Sequence, residues 1–147
     1  MNAFDQSITV LEELFSRNRE FVLATVRGGV PAQRVVDAFY DDGAFWFLTH
    51  AQSNKVEEIR CNSHVSLCRE FHNFNGVARF VGEQPSVKRR LDKPHEPWYF
   101  IPSDHRARSM CYIRVELSHA FFHKDGVGYK VDFAAKTAET VPFAPKK

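Results

Sequence analysis

The polar segment Ser53-Asn54-Lys55 follows closely on an apolar run that ends at Thr49. Apolar residues at helical spacing begin beside it, so Ser53 is placed to cap a helix over 53–62. The first turn of a helix presents free backbone N–H groups and the positive end of the helix dipole. Lys55 adds positive charge there, which is unfavourable for the helix alone and favourable when an anion binds. The spacing therefore predicts an anion site in which a phosphate would meet the amides, the hydroxyl and the ammonium together.

Arg34 offers a second cation for the same site. It lies on the strand that precedes the Thr49 strand, one hairpin away, and neighbouring strands are only ~5 Å apart. Its planar guanidinium suits bidentate binding of phosphate. The sequence therefore predicts one phosphate pocket formed by Arg34, Thr49, Ser53 and Lys55. A purely structural interpretation is the alternative. In it the serine only caps the helix, Lys55 faces water, and Arg34 pairs with Asp37 or Glu57.

The elements that must position these residues have the pattern of a β meander. Short apolar runs of strand length alternate with glycine-containing turns, as in antiparallel hairpins. The pattern predicts an amphipathic helix over 5–17 capped by Asp5, the helix over 53–62, and a frayed tail from residue 139. It predicts strands over 21–26, 32–40, 44–49, 64–71, 76–84, 111–125 and 129–134, the last of which is expected to close the sheet.

A sheet of this kind hides its edges best by closing on itself. The expected fold is therefore mainly β, an antiparallel barrel of about six strands with a few short helices. The 14 phenylalanines favour such a β structure with a wide apolar interior. The length of 147 residues predicts a single domain over 1–147.

Composition argues against several other classes of protein. The net charge of +2 is too small to favour nucleic acid as the main partner. The 3 cysteines lack a CxxC pair, which argues against a disulfide scaffold and a zinc site. No apolar stretch approaches the ~20 residues that span a bilayer, and no signal peptide is evident, so we expect a soluble, cytoplasmic protein without a membrane partner. The basic run over 86–93 is typical of a solvated helix face, with a phosphate-bearing or anionic partner as the alternative.

The order of these motifs resembles the pyridoxamine-phosphate-oxidase-like flavoproteins, especially their general stress protein branch. The similarity covers residues 20–84 well and the rest loosely. It is carried by "QRVV" at 33–36, "FLT" at 47–49, "SNK" at 53–55, "CN" at 61–62 and "HVSL" at 64–67. The resemblance implies a split β-barrel that forms a homodimer, with FMN in grooves between the two subunits.

The resemblance also implies two groups of cofactor-binding residues. One group is polar and would hold the FMN phosphate: Arg34, Ser53, Asn54 and Lys55. The other would contact the flavin ring or line its groove: Val35, Val36, Leu48 and Thr49. Asn54 stands where the family often has a basic residue, so its contact is expected to be the weaker one. No catalytic side chain is implied, because the flavin would perform the hydride chemistry.

Departures from the family pattern leave the function open. A glutamine expected on the 76–82 strand is missing, and Asn75 is out of register. The Tyr-x-x-x-Arg-x-x-x-Ser and Arg-x-His motifs of pyridoxamine-phosphate oxidases are absent from the sequence, so oxidation of vitamin B6 is not expected. Trp98 could cover the flavin from the partner subunit, although ordinary packing is the simpler interpretation.

Several functions are therefore compatible with the sequence. The leading hypothesis is a small FMN-dependent oxidoreductase acting on an unidentified small molecule. A flavin-binding stress or sensor module without turnover would use the same residues. A deazaflavin-binding relative, a heme-binding relative with His50 or His72 as ligand, and a barrel without a flavin are the remaining alternatives.

Overall fold

The computed structural model describes residues 2–50, 53–81 and 110–145 of the chain. The basic run over 86–93 and Trp98 lie outside these residues. The described elements, in chain order, are α1 (Ala3–Phe15), β1 (Arg19–Arg27), β2 (Val30–Asp41), β3 (Ala44–His50), α2 (Asn54–Cys61), β4 (His64–Arg69), β5 (His72–Phe80), β6 (Met110–Lys124), β7 (Val127–Asp132) and β8 (Thr137–Pro142).

All described strands belong to one antiparallel sheet with the order β3-β2-β1-β4-β5-β6-β7-β8. A further ladder joins β3 to β6, from Ala44 opposite Glu116 to His50 opposite Met110. This ladder closes β1 to β6 into a barrel, as the sequence predicts. The strand β7 lies beyond the closed part, so the prediction that the segment over 129–134 closes the sheet was wrong.

The C-terminal segment is also more ordered than the sequence indicates. The prediction of a frayed tail from residue 139 was wrong, because Thr137–Pro142 forms β8. This strand pairs with β7 along its whole length, from Asp132 opposite Thr137 to Val127 opposite Pro142. It pairs with β7 and its Ala138 packs against the main core, but its other side chains are mostly exposed, which explains why the apolar pattern did not reveal it.

The first helix begins earlier than predicted. Asn2, not Asp5, is the N-cap, and its side-chain Oδ1 accepts a hydrogen bond from the Asp5 backbone N–H at 2.8 Å. Asp5 lies instead in the first turn, where its negative charge complements the helix dipole. The buried face of α1 includes Leu11 and Phe15, which join the main core.

Tight turns connect the first strands of the barrel. Gly28 and Gly29 join β1 to β2 with φ values of 57° and 78°. Asp42 and Gly43 join β2 to β3 with φ values of 52° and 77°. Two successive residues with positive φ are required by the hairpin turn that matches the twist of a sheet. The sequence therefore fixes these two hairpins locally.

The barrel has a split between two of its strands. Pairing of β2 with β3 covers only Phe39–Asp41 opposite Ala44–Trp46. Towards the other end of these strands, β2 remains paired with β1 and β3 remains paired with β6. The edges of β2 and β3 that face each other are thus left without a shared ladder beyond Phe39 and Trp46. We call this opening the β2–β3 split.

Candidate functional site

The β2–β3 split is flanked by the residues that the sequence predicts for ring binding. Val35 and Val36 lie on the β2 side, and Leu48 and Thr49 lie on the β3 side. Val36 and Thr49 are buried, as expected for inward-facing positions. Val35 points outward with 61% of its surface exposed. Leu48 packs at the edge of a second apolar cluster that contains Trp46.

The polar residues of the prediction gather at the same end of the barrel, beside α2. Ser53 is the N-cap of this helix, as predicted, and its Oγ accepts a hydrogen bond from the Val56 backbone N–H at 3.4 Å. Asn54 and Lys55 occupy the first turn of the helix. Val56 is buried and anchors the helix to the barrel. Asn54 is exposed, whereas Lys55 is only partly accessible.

Arg34 is held in place by several contacts. Its Nη1 donates hydrogen bonds to Thr25 Oγ1 at 2.8 Å and to the Leu23 carbonyl at 3.3 Å. Its Nη2 forms an ion pair with Glu58 Oε2 at 3.0 Å. The structural alternative from the sequence proposed Asp37 or Glu57 as the ion-pair partner of Arg34. The observed partner is Glu58, which projects from α2 towards the strands.

Lys55 and Arg34 lie near enough to influence each other. Burial, followed by repulsion from Arg34, lowers the pKa of the Lys55 ammonium. Within the described parts of the chain, Lys55 forms no ion pair, while Arg34 shares the carboxylate of Glu58. Of the described side chains at the start of this helix, Arg34, Lys55 and Glu58 are partly buried together, while Glu57 is exposed and pairs with Arg60. This arrangement attracts an anion.

Three residues near this site were missed by the sequence analysis: Thr25, Glu58 and Cys111. Thr25 is fully buried, and its hydroxyl donates to the Glu58 carboxylate while it accepts from Arg34. Cys111 lies opposite Thr49 in the β3–β6 ladder, and burial raises the pKa of its thiol to about 11. This thiol therefore stays protonated at neutral pH. The helical spacing from Lys55 to Glu58 is a signal that could have placed both on one face of α2.

The other residues that the sequence suggested lie away from this site, or their side chains are not among those that the structure describes. Asn75 is exposed on β5, next to an irregularity in the β5–β6 register at Asn75 and Gly76. His72 lies at the opposite end of the barrel, buried against Phe15. The side chain of His50 is not among those described. No group of three or more metal-ligating side chains occurs among the described residues.

Comparison with known proteins agrees with this architecture. The closed barrel, its split and the two covering helices define the split β-barrel class. Residues 9–124 match the Pyridoxamine 5'-phosphate oxidase family, and the chain belongs to that family. A comparison with curated proteins gives no match.

Solved structures share the fold at low sequence identity. A candidate pyridoxamine 5'-phosphate oxidase from Listeria innocua aligns with a TM-score of 0.62 and 22% identity, covering 80% of this chain and 94% of its own. A Clostridium acetobutylicum protein related to general stress protein 26 aligns with a TM-score of 0.63 and 15% identity, covering 91% and 97%. A pyridoxamine 5'-phosphate oxidase-related, FMN binding protein from Nostoc punctiforme aligns with a TM-score of 0.59 and 14% identity, covering 99% of each chain.

A search for helices that could cross a membrane gave none among the described residues.

Proposed function

We propose that this protein binds FMN and acts as a small FMN-dependent oxidoreductase. The observation that carries the proposal is the partly buried ammonium of Lys55 beside Arg34, where the Glu58 carboxylate pairs with Arg34 and Lys55 has no ion pair among the described residues. A phosphate monoester would relieve the repulsion between these cations and meet the free amides of the α2 first turn. The membership of the chain in a flavoprotein family and an FMN-binding structural neighbour support the same cofactor.

The donor set fits a phosphate group in detail. Ser53 brings a hydroxyl, Lys55 brings a partly buried ammonium, and Arg34 brings a guanidinium that is already held by Thr25 and Glu58. Charge-assisted hydrogen bonds from such groups are shorter and stronger than neutral ones. Asn54, exposed in the same turn, would add only a peripheral contact. We therefore assign the phosphate end of the cofactor to this cluster, which we call the anion site.

The β2–β3 split would receive the ring system. Backbone groups of Val35 and Val36 border it on one side, and Leu48 and Thr49 border it on the other. Where β2 and β3 share no ladder, the backbone of Val35 and Val36 brings N–H donors and carbonyl acceptors near the split, and these suit the polar edge of a flavin ring. When bound, the flavin supplies hydride transfer, while these residues hold and orient it and limit access of water.

A homodimer completes the proposal. Val30 and Val35 expose 66% and 61% of their surfaces on the β1–β2 hairpin. A cavity of about 290 Å³ lies on the same hairpin, lined by Ala24, Pro31, Ala32 and Gln33. A second copy that covers this surface would shield a ring lying in the split from solvent. We expect light scattering of the FMN-loaded protein to give a dimer mass, and a monomer would contradict this part.

The direct test is the visible absorption spectrum of the purified protein, recorded before and after addition of FMN and removal of the excess. A retained flavin spectrum is the expected result. Reduction by NADH or NADPH, followed by turnover of an electron acceptor, would support the oxidoreductase. Bound flavin that is not reduced and reoxidised would indicate a flavin-binding module without turnover. A Soret band would indicate heme instead.

A further inference from the structure

The side chains of Thr25, Arg34 and Glu58 form a closed ring of hydrogen bonds next to the anion site. Arg34 donates from Nη2 to Glu58 Oε2 at 3.0 Å and from Nη1 to Thr25 Oγ1 at 2.8 Å. The Thr25 hydroxyl then donates to the same Oε2 of Glu58. Thr25 is fully buried, and the Glu58 side chain is only 13% exposed. The ring therefore joins α2 to two strands of the barrel through fixed side chains.

Among the described residues, this ring uses only part of the Arg34 guanidinium. A guanidinium carries five N–H donors. Three of them are used within the described structure, by Thr25, the Leu23 carbonyl and Glu58. The donors that remain are the Nε–H and one hydrogen of Nη2. They are two adjacent donors of the kind that bind a phosphate in a bidentate way.

We propose that Glu58, supported by Thr25, is a positioning residue that fixes the Arg34 guanidinium so that its remaining donors face the bound phosphate. This inference rests on the proposed FMN site and adds a residue that acts through Arg34 without touching the phosphate. A long arginine side chain loses considerable conformational entropy when it is ordered. Here that entropy is lost on folding, before the ligand arrives, so less of it opposes binding.

The charge of Glu58 acts in the opposite direction. The hydroxyl of Thr25, followed by hydrogen bonding and attraction from Arg34, lowers the pKa of the Glu58 carboxyl despite its partial burial. Glu58 therefore stays ionised at neutral pH, and a carboxylate near the site weakens its attraction for an anion. A simple deletion would mix this charge effect with the loss of positioning. A charge-matched pair of variants separates the two effects.

The test compares Glu58→Gln with Glu58→Ala by titration of FMN fluorescence. Both variants lose the same negative charge, but only glutamine keeps an oxygen that can accept from Arg34 and Thr25. We expect the Kd for FMN to be about tenfold weaker in Glu58→Ala than in Glu58→Gln. Equal Kd values in the two variants, or tighter binding by the alanine variant, would overturn the positioning role.

A repeat of the comparison in an Arg34→Ala background shows whether Glu58 acts through Arg34. We expect the difference between glutamine and alanine to disappear there, since no guanidinium is left to orient. A difference that persists would indicate a general structural effect of Glu58 and would contradict the proposal. Thermal unfolding of each variant accompanies the titrations.

Thr25 provides a second route that leaves Glu58 intact. Thr25→Val removes the bridging hydroxyl at nearly constant volume, whereas Thr25→Ser keeps it. We expect weaker FMN binding by several-fold in the valine variant and little change in the serine variant. Equal binding by both would argue against the ring. Absence of FMN binding by the unaltered protein would overturn the proposed function itself, which distinguishes that failure from a failure of the positioning role alone.

Discussion

The two ends of the barrel are each covered by a helix, but they are built from different chemistry. At the α1 end, Phe15 packs against Phe21, Phe45 and Phe74 with ring-centroid distances of 5.5, 5.9 and 5.5 Å. At the α2 end, the corresponding layer contains Arg34 and Lys55. Aromatic packing at the first end contributes stability through buried area and ring geometry. The partly buried group of Arg34, Lys55 and Glu58 at the second end contributes little stability by itself, which is consistent with the ligand that we propose there.

The two ends also treat their titratable groups differently. His72 at the α1 end stacks on His123 with ring centroids 4.3 Å apart and contacts the edge of Phe15. Its Nδ1 accepts from the His123 backbone N–H at 3.4 Å, which suits a neutral ring. At the α2 end, burial and then repulsion from Arg34 destabilise the charged form of Lys55 and lower its pKa, and a bound anion would oppose this effect. The buried titratable group at the α1 end is thus neutral His72, whereas the partly buried groups at the α2 end include the cations Arg34 and Lys55.

The largest expected effect is the loss of FMN binding in the double variant Arg34→Ala with Lys55→Ala. Each charge-assisted contact is worth ~1.5–3 kcal/mol, so the pair predicts a loss of affinity of about 100-fold or more. The fold should survive with a lower free energy of unfolding, because neither side chain belongs to the apolar core but Glu58 loses its partner Arg34. FMN titration and thermal unfolding measure the two properties separately.

A matched control removes the same charges from the α1 end. Arg69→Ala with Lys124→Ala also deletes one arginine and one lysine, which contact the Glu20 carbonyl and Glu13 respectively. We expect FMN affinity close to that of the unaltered protein. An equal loss of affinity in the control would mean that net charge, rather than the anion site, determines binding.

The second expected effect is acid sensitivity of the α1 end. Burial, followed by repulsion from His123, lowers the pKa of His72 to about 4, while Glu70 opposes this shift and Arg69 adds to it. The unfolded chain therefore binds more protons than the folded protein between pH 6.5 and about pH 4. The contribution of His72 to stability is complete above the upper value and is lost as pH falls through the lower one.

The size of this acid effect is about 2 kcal/mol, once partial access of solvent to the ring is allowed for. Urea unfolding at a series of pH values measures it. We expect His72→Phe to flatten the slope in this range, whereas His64→Gln, an exposed histidine at the start of β4, should leave the slope unchanged. An unaltered slope in the His72 variant would show that other groups control the acid response.

The sequence predicted local features better than distant ones. Apolar runs and two glycine-containing turns located the first three strands, and Ser53 correctly marked the start of α2. The closure of the barrel could not be predicted from local pattern, since it pairs Ala44 with Glu116 across most of the chain. The strand β8 was missed because it is specified by pairing with β7 rather than by its own apolar pattern.

The sequence predicted which residues lie together beside α2, but it did not predict which carboxylate pairs with Arg34. The residues expected around the phosphate do gather beside α2. The carboxylate that fixes Arg34 was assigned to the wrong acidic residues, because the rotation of α2 was not considered. Val56 and Ile59 are buried, which turns Glu58 towards the barrel and leaves Glu57 outside to pair with Arg60 at 3.5 Å. The rotation of α2 about its axis thus determines that Glu58, and not Glu57, pairs with Arg34.

The smallest expected effect compares the two helix caps. Asn2→Ala removes the acceptor for the Asp5 N–H and should cost about 1 kcal/mol of unfolding free energy with no change in FMN affinity. Ser53→Ala should cost a similar or smaller amount, since its capping bond of 3.4 Å is long. It should in addition weaken FMN binding several-fold, because the hydroxyl also belongs to the anion site. Equal FMN affinity in the two cap variants would reduce Ser53 to a helix cap and restrict the anion site to its two cations.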